Sequence, residues 1–308
     1  CSWCLLKILL FTTQASEDAG ERVWIIGPQN ISCQNIIYLP DVPPGSSDCF
    51  HNFAHFYYQI IQRYSPHVIA AQFFGHTHRD EFEIFYDNEN QMTADNAISV
   101  AYLGPSVVPK QNTNSAFRYV IPTWYIWLTN KLQIYPAHLH IYASPPQLDP
   151  VTYSVLDTFT YHFDISSGPS IEAANEQPTW NLTYSARAAY GAPSDNTSSA
   201  LDASWWHEVT QRFEADDTLF QKYWLYRAAA SGLDGPCNDT CKTGLICGMR
   251  AGKSELACTR TNPLDKRRLA WEDEAAVPGL QRLQNGLRKR MAREETPVWA
   301  RSQCSHYH

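Results

Sequence analysis

Two histidines one residue apart, His76 and His78, carry the clearest chemical signal in the chain. Neutral imidazole is the commonest protein ligand for zinc and related metals, so a His-x-His pair can supply two ligands to one place. Val68 to Phe74 is an apolar run that reads as a buried strand, and Gly75 ends it. Both histidines then stand just past the C-terminal end of that strand, where alternate residues project to one side. On the tripeptide alone, a polar surface loop is the simpler reading. The flanks change the balance: Phe73 and Phe74 before it, and Phe82, Ile84 and Phe85 after it, describe two buried strands joined at a polar turn. Upstream, Phe53, Phe56, Tyr57, Ile60 and Ile61 have the spacing of an amphipathic helix over 53–64, and Ser65-Pro66 stops it. His51 and His55 share one face of that helix at an i, i+4 spacing, but with no carboxylate motif beside them they read as surface histidines. His138 and His140 repeat the alternate spacing without supporting flanks. The chain shows neither a Gly-rich phosphate loop nor a Ser-centred nucleophile elbow, so nucleotide binding and serine hydrolysis lack support.

The elements that must hold this pair belong to a folded chain of roughly two domains. At 308 residues, with 44% apolar and 18% charged residues, it lies outside the disordered class. The balance of 24 basic and 31 acidic residues, a net charge of −7, offers no general attraction to nucleic acid, and no nucleic-acid partner is expected. The apolar stretch from Leu5 to Phe11 is interrupted by Lys7 and is far short of the ~20 residues that span a bilayer, so no transmembrane segment is expected. It lacks a basic flank and a clear cleavage site, and the N-terminus reads as a truncation and not as a targeting segment.

Nine cysteines bear on the compartment. Cys237, Cys241, Cys247 and Cys258 fall in a Gly/Pro-rich stretch. They read either as a zinc site or as local disulfides, and the spacing favours disulfides because the 247–258 gap supplies no second short knuckle. Cys1, Cys4, Cys33, Cys49 and Cys304 have no partner that spacing alone assigns. Glycosylation sequons begin at Asn30, Asn181, Asn196 and Asn238. Together they point to a secreted, extracellular or lysosome-like compartment.

The block AAQFFGHTHRDEFEIFYD over 70–87 resembles the last metal-binding motif of the acid sphingomyelinase family, a branch of the calcineurin-like metallophosphoesterases. The likeness extends to the strand over 21–27, to 101–106 and 115–119, to the segment 180–187, to the helical stretch 205–227 and to the four-cysteine cluster. It covers about two-thirds of the chain discontinuously. The resemblance implies an α/β fold: the C-terminal part of a metallophosphoesterase β-sandwich flanked by helices over 1–168, then a small helical disulfide-containing domain over 169–258. It implies zinc-dependent hydrolysis of a phosphodiester, sphingomyelin to ceramide and phosphocholine, at a two-zinc (Zn2+) centre that polarises the phosphate and activates water. His76 and His78 would each bind a metal, and Asp80 would accept an imidazole N–H from behind the ligands. The disulfide pairs implied are Cys237 with Cys241 and Cys247 with Cys258. The partner implied is a phosphodiester lipid, with peripheral membrane contact through it.

The family's Asp-x-His, Gly-Asp and Gly-Asn-His motifs are absent, and no further catalytic residue is assigned. The Gly-His-x-Pro-Pro-Gly turn is interrupted: Gly27-Pro28 is followed by an apparent insertion over 28–41 before Val42-Pro43-Pro44-Gly45. A second apparent insertion covers 121–147, and both read as unspliced or misread segments. Residues 259–308 leave the likeness as a divergent tail, expected to be disordered. Its basic runs at 266–268 and 288–290 read as a solvated tail and not as a nucleic-acid arm. The alternative function is a catalytically inactive fragment or pseudoenzyme that lacks the upstream ligands. A catalytic zinc ordinarily takes three protein ligands.

Overall fold

A computed structural model describes residues 2–27, 42–47, 49, 51–110, 112–120, 141–142, 153–192 and 199–256. The chain divides into two compact units, Cys1–Cys258 and Thr259–His308. The second lies wholly outside the described residues, as do all of 28–41 and all of 121–147 except 141–142, so the readings of those segments as insertions and a tail fall outside them too.

The first unit is α/β and contains two four-stranded sheets. One is built from β1 (Val23–Ile26), β2 (Ile69–Phe74), β3 (Glu81–Tyr86) and β4 (Ala97–Leu103), in the order β1-β2-β4-β3. The pairs β1–β2 and β2–β4 are parallel, and β3 runs antiparallel to β4. The other contains β5 (Ser115–Tyr119), β6 (Ile141–Tyr142), β7 (Phe159–Phe163) and β8 (Asn181–Ser185), in the order β6-β5-β7-β8. Two helices precede β2: α1 (Ser2–Ala19), and α2 (His51–Tyr64), which covers the stretch expected from apolar spacing. They are followed by α3 (Gly168–Ala174), α4 (Ala186–Tyr190), α5 (Ala203–Ala215), α6 (Asp217–Arg227) and α7 (Asp239–Met249). Residues 169–258, expected as a helical domain, thus also supply β8 to a sheet.

The period-2 alternation of strands sorts the first sheet into two packed faces. Phe74 and Phe85 face α2, where Tyr57 lies 6.1 Å from Phe74 and Tyr58 lies 5.1 Å from Phe85, centroid to centroid. A buried amide on that face, Gln72, accepts from Tyr57 Oη at 2.5 Å and donates to Ser99 Oγ at 2.8 Å, so both ends of its side chain are paired. Phe73, Phe82, Ile84, Tyr86, Val100 and Tyr102 face the other way and join one core with Trp206, Val209 and Phe213 of α5. Phe82 packs 4.2 Å from Trp206, and Trp206 Nε1 donates to Tyr102 Oη at 3.1 Å. Tyr184 of β8 and Val120, just past β5, belong to the same cluster, so both sheets share one core. His207, buried on α5, contacts Tyr86 Oη through Nδ1 at 2.8 Å, and burial holds its pKa below the ordinary histidine value.

Candidate active site at the strand ends

Because β1, β2 and β4 are parallel, their C-terminal ends meet at one edge of the sheet, where open α/β sheets place ligand sites. Gly27 follows β1, Gly75–Asp80 follows β2, and Gly104–Lys110 follows β4. The three exits are laced together: Gly27 N–H donates to Phe73 O at 2.6 Å, and Gly104 N–H to Phe74 O at 2.8 Å. Gly27 must be glycine, since a Cβ there would stand 2.5 Å from a ring carbon of Phe74.

β2 and β3 are not neighbours in the sheet; β4 lies between them. The six residues from Gly75 to Asp80, expected as a polar turn joining two buried strands, therefore bridge the end of β4. This carries the histidines over the loop that leaves β4. His78 Nδ1 lies 3.1 Å from the Val108 carbonyl oxygen in that loop. A carbonyl can only accept, so Nδ1 carries the proton, and in the neutral ring the lone pair is then on Nε2. This is the arrangement by which metal-binding histidines are oriented in general.

The backbone here is unlike a strand. His76 has φ 81° and His78 φ 60°, both in the left-handed region that β-carbon-bearing residues avoid. The Thr77 N–H donates back to Gly75 O at 3.1 Å, closing a three-residue turn centred on His76. The two imidazoles are thus set by a coiled loop and not by the alternation of an extended chain. Left-handed non-glycine residues concentrate at functional sites. Both histidines are half-buried.

Asp80 is 1% exposed. Its carboxylate pairs with Arg118 of β5 and accepts from Thr160 Oγ1 of β7 at 2.5 Å. Its bonds therefore run to the second sheet and to neither imidazole. On either side, Arg79 lies 2.6 Å from Asp234 and Glu81 lies 2.5 Å from Arg227. Burial would raise the Asp234 carboxyl, but the Arg79 hydrogen bond and charge outweigh it and hold its pKa below the ordinary value. Sequence reasoning passed over Arg118, Arg227 and Asp234, whose partners lie 38 to 155 positions away with no local pattern to mark them.

Among the described residues, no group of three or more His, Cys, Asp or Glu could hold a metal ion. The histidines suit a zinc centre in donor type and in the orientation of His78, but the described residues do not complete one. His51 is buried at the start of α2 and not on the surface, and His55 contacts Gln59 at 3.0 Å. His138 and His140 lie outside the described residues.

A disulfide joins Cys237 and Cys241, with Cα atoms 5.4 Å apart. Cys247 is also disulfide-bonded, and Cys258, the partner implied for it, lies outside the described residues, as do Asn30 and Asn196. Asn181 and Asn238 are exposed, and the Asn238 side chain caps α7 by accepting from Cys241 N–H at 3.0 Å. Cys49 is disulfide-bonded as well.

No protein-family model matches the chain. Comparison with curated proteins finds the sphingomyelin phosphodiesterases of Bos taurus and Homo sapiens, each 32% identical over 250 residues that make up 81% of this chain and 32% of the relative. The acid sphingomyelinase-like phosphodiesterase 3b of Homo sapiens is 29% identical over 247 residues, 77% of this chain and 43% of that protein. The chain is thus similar to the acid sphingomyelinase family over about four-fifths of its length. It spans about a third of the length of the sphingomyelin phosphodiesterases it matches. The family resemblance of the histidine block is therefore matched by similarity across most of the chain.

Proposed function

We propose that this chain takes part in phosphodiester hydrolysis and that His76 and His78 are its contribution to a zinc-dependent site. The proposed substrate is sphingomyelin, cleaved to ceramide and phosphocholine. The observation that carries the reading is the loop at the strand ends, in which His78 Nδ1 bonds the Val108 carbonyl and leaves Nε2 available. The names of the relatives supply the reaction class. The two sheets and shared core are read as part of the family's β-sandwich. The disulfides favour an oxidising compartment, secreted or lysosome-like, with glycans at the exposed Asn181 and Asn238. No helix among the described residues is long and apolar enough to cross a membrane, and contact with a bilayer is proposed to be peripheral, through the lipid substrate.

A second reading, a chain inactive by itself, is favoured by one observation: among the described residues no third ligand joins the histidines. The two readings separate in one experiment. The chain is expressed in a secretory host and phosphocholine release from sphingomyelin is measured together with bound zinc, for the wild type, His76→Ala and His78→Ala. Release that both substitutions abolish supports the enzyme. Absence of release and of zinc from a folded chain supports the inactive reading.

A further inference from the structure

The three residues that follow His78 are all charged, and each meets an opposite charge from a different part of the chain. Arg79 pairs with Asp234 in the loop after α6, Glu81 with Arg227 at the end of α6, and Asp80 with Arg118 of β5. The middle pair is the most deeply buried, with side-chain exposures of 1% and 7% where the other two pairs have 12% to 14%. Thr160 adds its hydroxyl to the Asp80 carboxylate, and the Asp80 N–H donates to the Arg227 carbonyl at 3.0 Å. Asp80 therefore joins the loop to β5, β7 and α6 at once.

Within the loop, the Thr77 N–H bonds the Gly75 carbonyl, and Thr77 Oγ1 makes short-range contacts with Arg79. Two left-handed non-glycine residues are unfavourable and persist only where the surroundings fix them. A carboxylate and guanidinium buried together fix strongly, because separating them strands a charge out of water.

We infer that Asp80 and Arg118 are positioning residues: their buried pair holds the Gly75–Asp80 loop in the left-handed turn that orients His76 and His78. The inference rests on the proposed function only for what the imidazoles are presented to; the orientation itself is a property of the chain.

The test is nitrogen-15 NMR of the histidine rings in the metal-free protein at a pH where the imidazoles are neutral. In the wild type His78 is expected as the Nδ1–H tautomer. In Asp80→Asn that signature is expected to be lost, with a shift to the Nε2–H form that free imidazole favours. Arg118→Met should lose it likewise, and Arg118→Lys, which keeps the charge, should restore part of it. A folded Asp80→Asn with the wild-type tautomer overturns the inference. Should Asp80→Asn and Arg118→Met fail to fold, Thr160→Val and Arg118→Lys decide: a partial shift in both supports the inference and an unchanged spectrum in both refutes it. Failure of the functional reading would show separately, as wild-type protein that releases no phosphocholine while the tautomer comparison stands.

Discussion

Replacing Glu83 by Gln should remove a large alkaline penalty from the stability of this fold. Glu83 is 7% exposed on β3, where its carboxyl accepts the Gly45 N–H at 3.0 Å. Val42, Pro43 and Pro44 of the same turn are buried, and a Cβ on Gly45 would stand 2.6 Å from the Glu83 carboxyl carbon. Burial pushes the carboxyl up from about 4.5 to about 8; the Gly45 hydrogen bond opposes this and the Glu81 charge adds to it. Between those values the folded chain holds a proton that the unfolded chain has released, so stability falls as pH rises from 4.5 to 8. At ~1.4 kcal/mol per pH unit, the span from about 4.5 to about 8 comes to about 5 kcal/mol, an order-of-magnitude figure. The assay is urea unfolding of wild type and Glu83→Gln at intervals from pH 4.5 to 8.5, followed by tryptophan fluorescence. The neutral isostere keeps an acceptor for Gly45 and has no proton to lose, so its advantage over wild type should grow steadily across this window. A difference between the two proteins that stays constant with pH would refute the buried, protonated carboxyl.

Other outcomes are expected from the packing. Trp206→Ala removes the ring that touches Phe82 and Tyr102 and should cost about 3–5 kcal/mol in the same unfolding assay. Converting Cys237 and Cys241 together to serine opens a short ring and should lower stability by about 2 kcal/mol, with no effect of reducing agent remaining at that pair. Asp216→Ala removes the side chain that accepts from Leu219 N–H at the start of α6 and should cost about 1 kcal/mol.

Much of the element content was legible in the chain, because local spacing encodes local structure. The apolar residues of 53–64 foretold α2, the run over 68–74 foretold β2, and the alternation at 82–85 foretold β3. α1 escaped notice because its inward face is partly polar. Leu6, Leu9, Thr13 and Ser16 keep helical spacing, but Thr13 is buried by bonding the Leu9 carbonyl at 2.9 Å, which a hydrophobicity pattern does not register. Sheet order was not legible either: nothing local to 69–86 says that β4 will come between β2 and β3. Because β4 lies there, the polar turn that holds His76 and His78 is a bridge across a strand end. The histidines themselves stood out by type and spacing. Their left-handed backbone and the Asp80–Arg118 pair depend on contacts between distant segments, and Asp80 was assigned to the imidazoles when its carboxylate goes to β5 and β7.

The most direct test of the central claim, that the His76–His78 loop serves phosphodiester hydrolysis, is phosphocholine release from sphingomyelin by the secreted chain. Wild type, His76→Ala and His78→Ala would be compared at equal folded concentration and with bound zinc counted in each. The account predicts release by the wild type and its loss in both variants, with zinc lost alongside. Release that continues unchanged after either substitution would contradict it.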